Sequence, residues 1–155
     1  MKGLAVDKSL GRLGRMLRML GYDTVIQEGL DDAAFAGLAG ERIVLTRSHA
    51  VCDMAPPEHV VFIRENEPEK QLRSVAGKLG LEMNEDRVFT RCLDCNVPVR
   101  PVQADEVRHE VPEYVYQVQQ RFSRCPVCRR VFWPGTHQER GLERLRHILA
   151  GTGET

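Results

Sequence analysis

Along its first eighty residues the chain alternates short apolar runs with stretches where apolar residues recur every three or four positions. Leu4-Ala5-Val6 has the length of a strand. From Ser9 to Leu20 the leucines at 10, 13, 17 and 20 share one helical face, and Gly21 stands where that helix would close. Thr24-Val25-Ile26 predicts a second strand. Asp31 and Asp32 then open a helix through Phe35, Leu38 and Ala39 that ends near Gly40. Ile43-Val44-Leu45 and Val60-Val61-Phe62-Ile63 predict two more strands, and Glu67 to Leu79 a helix closed by Gly80. Strands alternating with helices at this spacing predict an α/β fold with a parallel sheet flanked by helices. Such sheets place their sites at the carboxyl ends of the strands.

Near Asp86 to Thr90 the pattern changes. Cys92-x-x-Cys95 and Cys125-x-x-Cys128 hold four of the five cysteines, and two paired thiols suit the tetrahedral thiolate set of a closed structural zinc site. Turn-favouring Asn96, Pro98 and Pro126 follow them closely, with Phe89, Val97, Val99, Val127, Val131, Phe132 and Trp133 alongside. The segment reads as a zinc ribbon. A disulfide pair would need an oxidising compartment, for which the amino terminus offers no apolar signal segment. A redox motif would need one CxxC at a helix start rather than two matched pairs. Cys52 reads as a packed small residue or an idle thiol. Gly135 to Leu149 reads as a final helix whose Leu142, Leu145, Ile148 and Leu149 dock back on the sheet. The expected division is residues 1–88 for the sheet unit, 89–134 for the ribbon and 135–150 for the last helix, with a disordered tail over 151–155.

With 155 residues, 42% of them hydrophobic and 28% charged, the chain can bury one core and carry a small metal-stapled module beside it. No apolar run approaches the roughly 20 residues that span a bilayer, so a soluble, cytoplasmic protein is expected. The formal net charge is zero. A nucleic-acid partner would therefore be held by local patches rather than a general field.

Two kinds of charge gather near the expected strand ends. Asp7 directly follows the first strand, and Asp31 and Asp32 open the second helix; each can be read as a helix cap, as can Ser9. Acids from separate strand–helix junctions converging on one crevice instead suggest a Mg²⁺ or Mn²⁺ site, because these ions take carboxylate oxygens and water and support phosphodiester cleavage. Lys8, Arg12 and Arg15 share a face of the first helix, with Arg18 flanking them. Such a stripe is either a solvated face or a ridge for phosphates beside an acidic mouth. On the ribbon, Arg91, Arg100, Arg121, Arg124, Arg129 and Arg130 interleave with Phe122, Phe132 and Trp133. That mixture suits stacking on unpaired bases, although small zinc modules more often pack their aromatics against the metal site. Thr136 with Glu139 three residues later reads as a capping box.

These residues, in this order, resemble the PIN-like ribonuclease domain with an inserted zinc ribbon, the family named for the C-terminal domain of the Mut-seven exonuclease. The likeness runs from about Leu4 to Leu149. It is carried by Leu4-Ala5-Val6-Asp7, Leu10-Gly11-Arg12-Leu13-Gly14-Arg15, Leu17-Arg18-Met19-Leu20-Gly21-Tyr22-Asp23-Thr24, Asp31-Asp32, Ile43-Val44-Leu45-Thr46-Arg47, Gln71-Leu72, the two knuckles and Trp133-Pro134-Gly135-Thr136-His137. The resemblance implies a metal-dependent ribonuclease in which Asp7 and Asp32, the better match in register than Asp31, hold Mg²⁺ or Mn²⁺. Arg47 would stabilise phosphoryl charge, and His137 would face the crevice or a phosphate. Where the family places an aspartate after Thr-Arg, this chain has Ser48. Serine offers a neutral oxygen, so ion binding should weaken unless Asp53 folds inward or His49 serves as ligand or base. The chain thus reads as an endoribonuclease acting on structured or single-stranded RNA. The alternative is a catalytically weakened or inactive RNA-binding zinc-ribbon protein or ribonucleoprotein adaptor; a ribbon-mediated protein-interaction module would leave the basic helix without a role.

Overall fold

The computed structural model describes residues 2–151. Strand β1 (Gly3–Val6) leads through a 3-10 turn at Lys8–Leu10 into helix α1 (Gly11–Met19), and β2 (Thr24–Ile26), α2 (Asp32–Ala36) and β3 (Arg42–Thr46) follow. The sheet unit continues with α3 (His49–Met54), β4 (Val60–Phe62) and α4 (Pro68–Leu79). The strands run parallel in the order β2-β1-β3-β4, so the expected α/β sheet is present. Helix α3 is an addition to the expected elements. It carries one fully buried apolar side chain, Val51, too little for a readable period.

Alternation along the strands sets the two layers, because successive side chains face opposite sides. Leu4 and Val6 pack with Leu10, Leu13, Leu17 and Leu20 of the α1 segment and with Leu72, Val75 and Ala76 of α4. Ala5 and Val44 face the other side, against Phe35, Ala36, Ala39 and Val51. Each fully buried leucine contributes roughly 2 kcal/mol. Two glycines make the first layer possible. A Cβ on Gly14 would lie 2.9 Å from side-chain atoms of Val6 and Ile26, so its absence lets α1 press onto the sheet. Gly21 has φ +93°, and a Cβ there would meet the Arg87 carbonyl oxygen at 2.3 Å.

The ribbon holds an antiparallel sheet in the order β5-β6-β7, from β5 (Arg100–Val102), β6 (Phe122–Arg124) and β7 (Val131–Phe132). Two short helices, α5 (Ala104–Val107) and α6 (Glu113–Val118), separate the knuckles. Val107, Val111, Val115 and Phe122 form its core, with Trp133 packed against them. Phe122 and Trp133 therefore serve packing: Phe122 is 3% exposed and lies 6.5 Å from the Trp133 ring.

Helix α7 (Thr136–Ala150) returns to the sheet unit, where Leu145 and Ile148 enter the main core, Leu149 packs against it and Leu142 stays partly exposed. Its N-cap is Gly135, without a side-chain cap bond. The expected Thr136 capping box is thus absent, because Thr136 is itself helical and its hydroxyl cannot occupy the cap position. Gly151 caps the carboxyl end of α7, and residues 152–155 of the expected tail lie outside the described residues. No helix among the described residues is long and apolar enough to cross a membrane.

Candidate metal centre and strand-end crevice

The two knuckles are built alike. The Cys92 amide donates to the Val97 carbonyl at 2.9 Å and the Asn96 amide to the Cys92 carbonyl at 2.9 Å; the Cys125 amide donates to Arg130 and the Arg129 amide to Cys125, both at 3.0 Å. Asn96 (φ 63°) and Arg129 (φ 68°) adopt the left-handed conformation that turns each chain back. The four sulfurs lie within 4.8 Å of one another. Cys92 Sγ and Cys128 Sγ are 3.8 Å apart, the edge of a tetrahedron with metal–sulfur bonds of about 2.3 Å. Donor type, number and spacing all fit zinc. Burial works against a thiolate on Cys125, but the Val127 and Cys128 amides, each 3.4 Å from its sulfur, bring its pKa down to about 7.

The first knuckle is fastened to the sheet unit by charged side chains. Arg18 is 7% exposed. Its Nε donates to the Thr24 carbonyl at 2.8 Å, and its Nη1 to the Leu93 and Asp94 carbonyls at 2.7 and 3.3 Å. Burial pulls its pKa below the usual guanidinium value, with Glu28 and Asp94 opposing. The expectation that Arg18 meets phosphate is corrected: its donors point inward at backbone oxygens. Arg15 pairs with Asp94 at 2.8 Å, and Asp94 also takes Arg130 at 2.6 Å. Asn96 donates to Asp23 at 2.7 Å and accepts from the Thr24 amide at 2.9 Å. Of the stripe, Lys8 and Arg12 remain exposed, and among the described residues their side chains have no ion-pair or hydrogen-bond partner.

At the carboxyl end of β1, Asp7 is 5% exposed and accepts four hydrogen bonds. Oδ1 takes the Ser9 amide at 2.8 Å and the Ser9 hydroxyl at 2.5 Å; Oδ2 takes the Thr46 hydroxyl and the Arg47 amide, both at 2.7 Å. Burial alone would raise its pKa, but the donors from Ser9, Arg47 and Thr46 outweigh it and hold Asp7 below the usual aspartate value. Asp7 is thus an anion built into the mouth of the sheet. The cap reading also holds, since Asp7 caps the turn at Lys8–Leu10. Asp31 caps α2, its Oδ1 accepting from the Ala34 amide at 2.8 Å.

Asp32 is exposed one residue further on, and buried Gln27 ties it to the Asp7 junction. Gln27 Oε1 accepts from the Lys8 amide at 3.2 Å, while Nε2 donates to the Leu30 carbonyl at 2.9 Å and reaches Asp32 Oδ1 at 3.5 Å. Sequence reasoning missed Gln27, whose one signal was its place at the end of β2. Arg47 offers its amide to Asp7 while its guanidinium donates to Asn66 Oδ1 at 2.5 Å. Ser48 caps α3, its Oγ accepting from the Val51 amide at 3.3 Å. His49 stacks on Phe62 with ring centroids 4.5 Å apart, Asp53 is exposed on α3, and His137 is exposed on the first turn of α7. Among the described residues the four cysteines are the group of three or more ligand-type side chains that converges.

Together these features define a parallel α/β domain with an anionic strand-end mouth and a four-cysteine metal module. A family model described as the Mut7-C RNAse domain matches residues 2–145, and the chain belongs to that family. No curated protein and no solved structure matches the chain.

Proposed function

We propose that the protein is a metal-dependent ribonuclease that hydrolyses RNA phosphodiesters, with a sheet unit (1–88), a structural zinc ribbon (89–134) and a closing helix (135–150), working in the cytoplasm where thiols stay reduced. The observation that carries this reading is the buried anionic Asp7 at the carboxyl end of a central strand, its junction tied at Lys8 through Gln27 to Asp32 and bordered by the exposed cations Lys8 and Arg12. The donor set suits Mg²⁺ or Mn²⁺, ions that keep several waters and are commonly held by one or two carboxylates plus substrate phosphates. Asp7 uses all of its roughly four acceptor sites within the protein, so the Ser9 hydroxyl must rotate away to open one oxygen. When bound there, such an ion would supply an activated water and charge neutralisation at the phosphoryl group. Thr46 and the Arg47 amide keep Asp7 fixed throughout. Gln27 orients the Asp32 side, Lys8 and Arg12 hold phosphates without reading sequence, and the Arg47 guanidinium reaches the phosphoryl oxygens by leaving Asn66.

A second reading, an RNA-binding protein with weakened chemistry, is favoured by Ser48, a neutral hydroxyl that accepts the α3 cap bond where a carboxylate would carry charge. Cleavage of a labelled RNA pool by zinc-loaded protein with Mg²⁺ or Mn²⁺, beside Asp7→Asn and Ser48→Asp, separates the two. Activity in the native chain that falls at least 100-fold in Asp7→Asn is expected, the size of losing one charge-stabilising group. Inactivity of the native chain with gain in Ser48→Asp would establish the binding reading.

A further inference from the structure

Between α1, the start of α4 and α7 lies a hollow of about 500 Å³, within the ~300–1,000 Å³ range of small-ligand sites. Neither the fold nor the strand-end chemistry accounts for it. The half-buried Met16 and Met19 supply apolar surface over the buried Leu145 and Ile148, and Arg12, Arg15, Arg144, Glu67 and Glu69 supply charge. Arg144 is held by Glu69, and Glu67 lies 3.5 Å from Lys70. Among the described residues, Arg12 is the cation of this lining without a partner, since Arg15 pairs with Asp94. A second hollow, about 490 Å³, lies on the other side of the α1 ridge. It is bounded by Lys8, Gln27 and Asp94, next to the Asp7 mouth. Arg12 and Arg15 belong to both hollows, so the basic ridge is a shared wall between them.

We infer that the hollow between α1, α4 and α7 is a nucleobase pocket, receiving one unpaired base of a single RNA strand whose backbone crosses the α1 ridge at Arg12. The inference rests on the ribonuclease reading and specifies its substrate as locally single-stranded. Its chemistry is complementary to a nucleotide. Thioethers and aliphatic side chains contact an aromatic ring well, an unpaired guanidinium meets the linking phosphate, and a planar guanidinium at the rim can stack on the base. Double-stranded RNA keeps its bases paired and stacked and would leave the hollow empty.

The test uses full-length zinc-loaded protein with methyl-labelled methionine, the Met16 and Met19 signals assigned by substitution to leucine. The probe is a five-nucleotide 2′-O-methyl oligoribonucleotide, which resists cleavage, beside five versions that each lack one base. Saturable shifts of Met16 and Met19, with affinity reduced about tenfold by one particular abasic position, are expected; that is the size of one base stacking contact. Tight binding with unmoved methionine signals, or affinity indifferent to every abasic position, overturns the pocket and leaves RNA binding standing. Absence of binding to any of the oligonucleotides overturns the pocket and the ribonuclease reading together. Shifts of the same methyls with protein concentration alone would assign the hollow to a contact between copies and overturn it as well.

Discussion

Between Gly3 and Leu79, buried leucines, valines and alanines cover both faces of a parallel sheet. Between Arg91 and Trp133 the buried cluster is Val107, Val111, Val115 and Phe122, beside four thiols. The first region has enough apolar area to define its own structure. The second is of the size at which small modules depend on metal, and it is positioned by polar groups: Arg18 on backbone carbonyls, Asp94 between Arg15 and Arg130, and Asn96 on Asp23. Where apolar burial dominates, the fold tolerates the loss of single polar contacts. A region that depends on metal and charge should fail as a unit when either is withdrawn.

Zinc removal is the strongest way to break this comparison. A structural zinc is worth ~10–16 kcal/mol in small zinc modules, so chelation, or Cys92→Ser with Cys125→Ser, should release one zinc and collapse amide dispersion across 91–133. The sheet unit should keep its spectrum. Loss of both regions together, or of neither, would show that they are not separately stabilised.

Arg18→Ala comes next. It strips buried carbonyls of a charged donor, and about 3 kcal/mol is expected, read by urea unfolding; the loss should appear as an earlier ribbon transition rather than a uniform shift. Gly21→Ala should cost about 1–2 kcal/mol, since both φ and the approach of Arg87 exclude a side chain. A neutral result would mean that the turn relaxes and that the end of α1 is not pinned against the Arg87 segment there.

Acid sharpens the comparison with the smallest effect. For Asp23, burial would raise the pKa, but hydrogen bonds from Arg42 and Asn96 take it below the usual value; for Asp94 the Arg15 hydrogen bond is the main cause of a lowered pKa. Asp7 is lowered as well. A carboxylate whose folded pKa is depressed contributes stability fully above its unfolded value, about 3.9, and loses it as pH falls through the folded value. Melting temperature should therefore decline below about pH 4. In Asp94→Asn the decline should be shallower; equal slopes in both proteins would remove Asp94 from the clamp.

Much of the sheet unit was legible along the chain. Period-3.6 leucines in α1 and short apolar runs in β1 to β4 declare which segments face a core, because each pattern matches one backbone geometry. The cysteine pairs announced their centre for a similar reason: two-residue spacing closes a knuckle locally. Helices α5 and α6 were not legible, since four-residue and six-residue helices show too little period.

For the candidate site, position and partner separate what was readable from what was not. That Asp7, Asp31 and Asp32 stand at strand–helix junctions followed from the sequence, but which of them is free did not. Asp31 takes a cap bond from three residues away, and Asp7 is held by Thr46 and Arg47 at the end of another strand. Arg15 and Arg18 look identical to Arg12 on a helical wheel. The packing of the ribbon against α1 is what buries Arg18, pairs Arg15 and leaves Arg12 to solvent. Local periodicity determined the elements and the metal ligands of this protein, because both depend on neighbours in sequence. Long-range packing decided which charges are available for chemistry, because a side chain's freedom is set by groups seventy residues away.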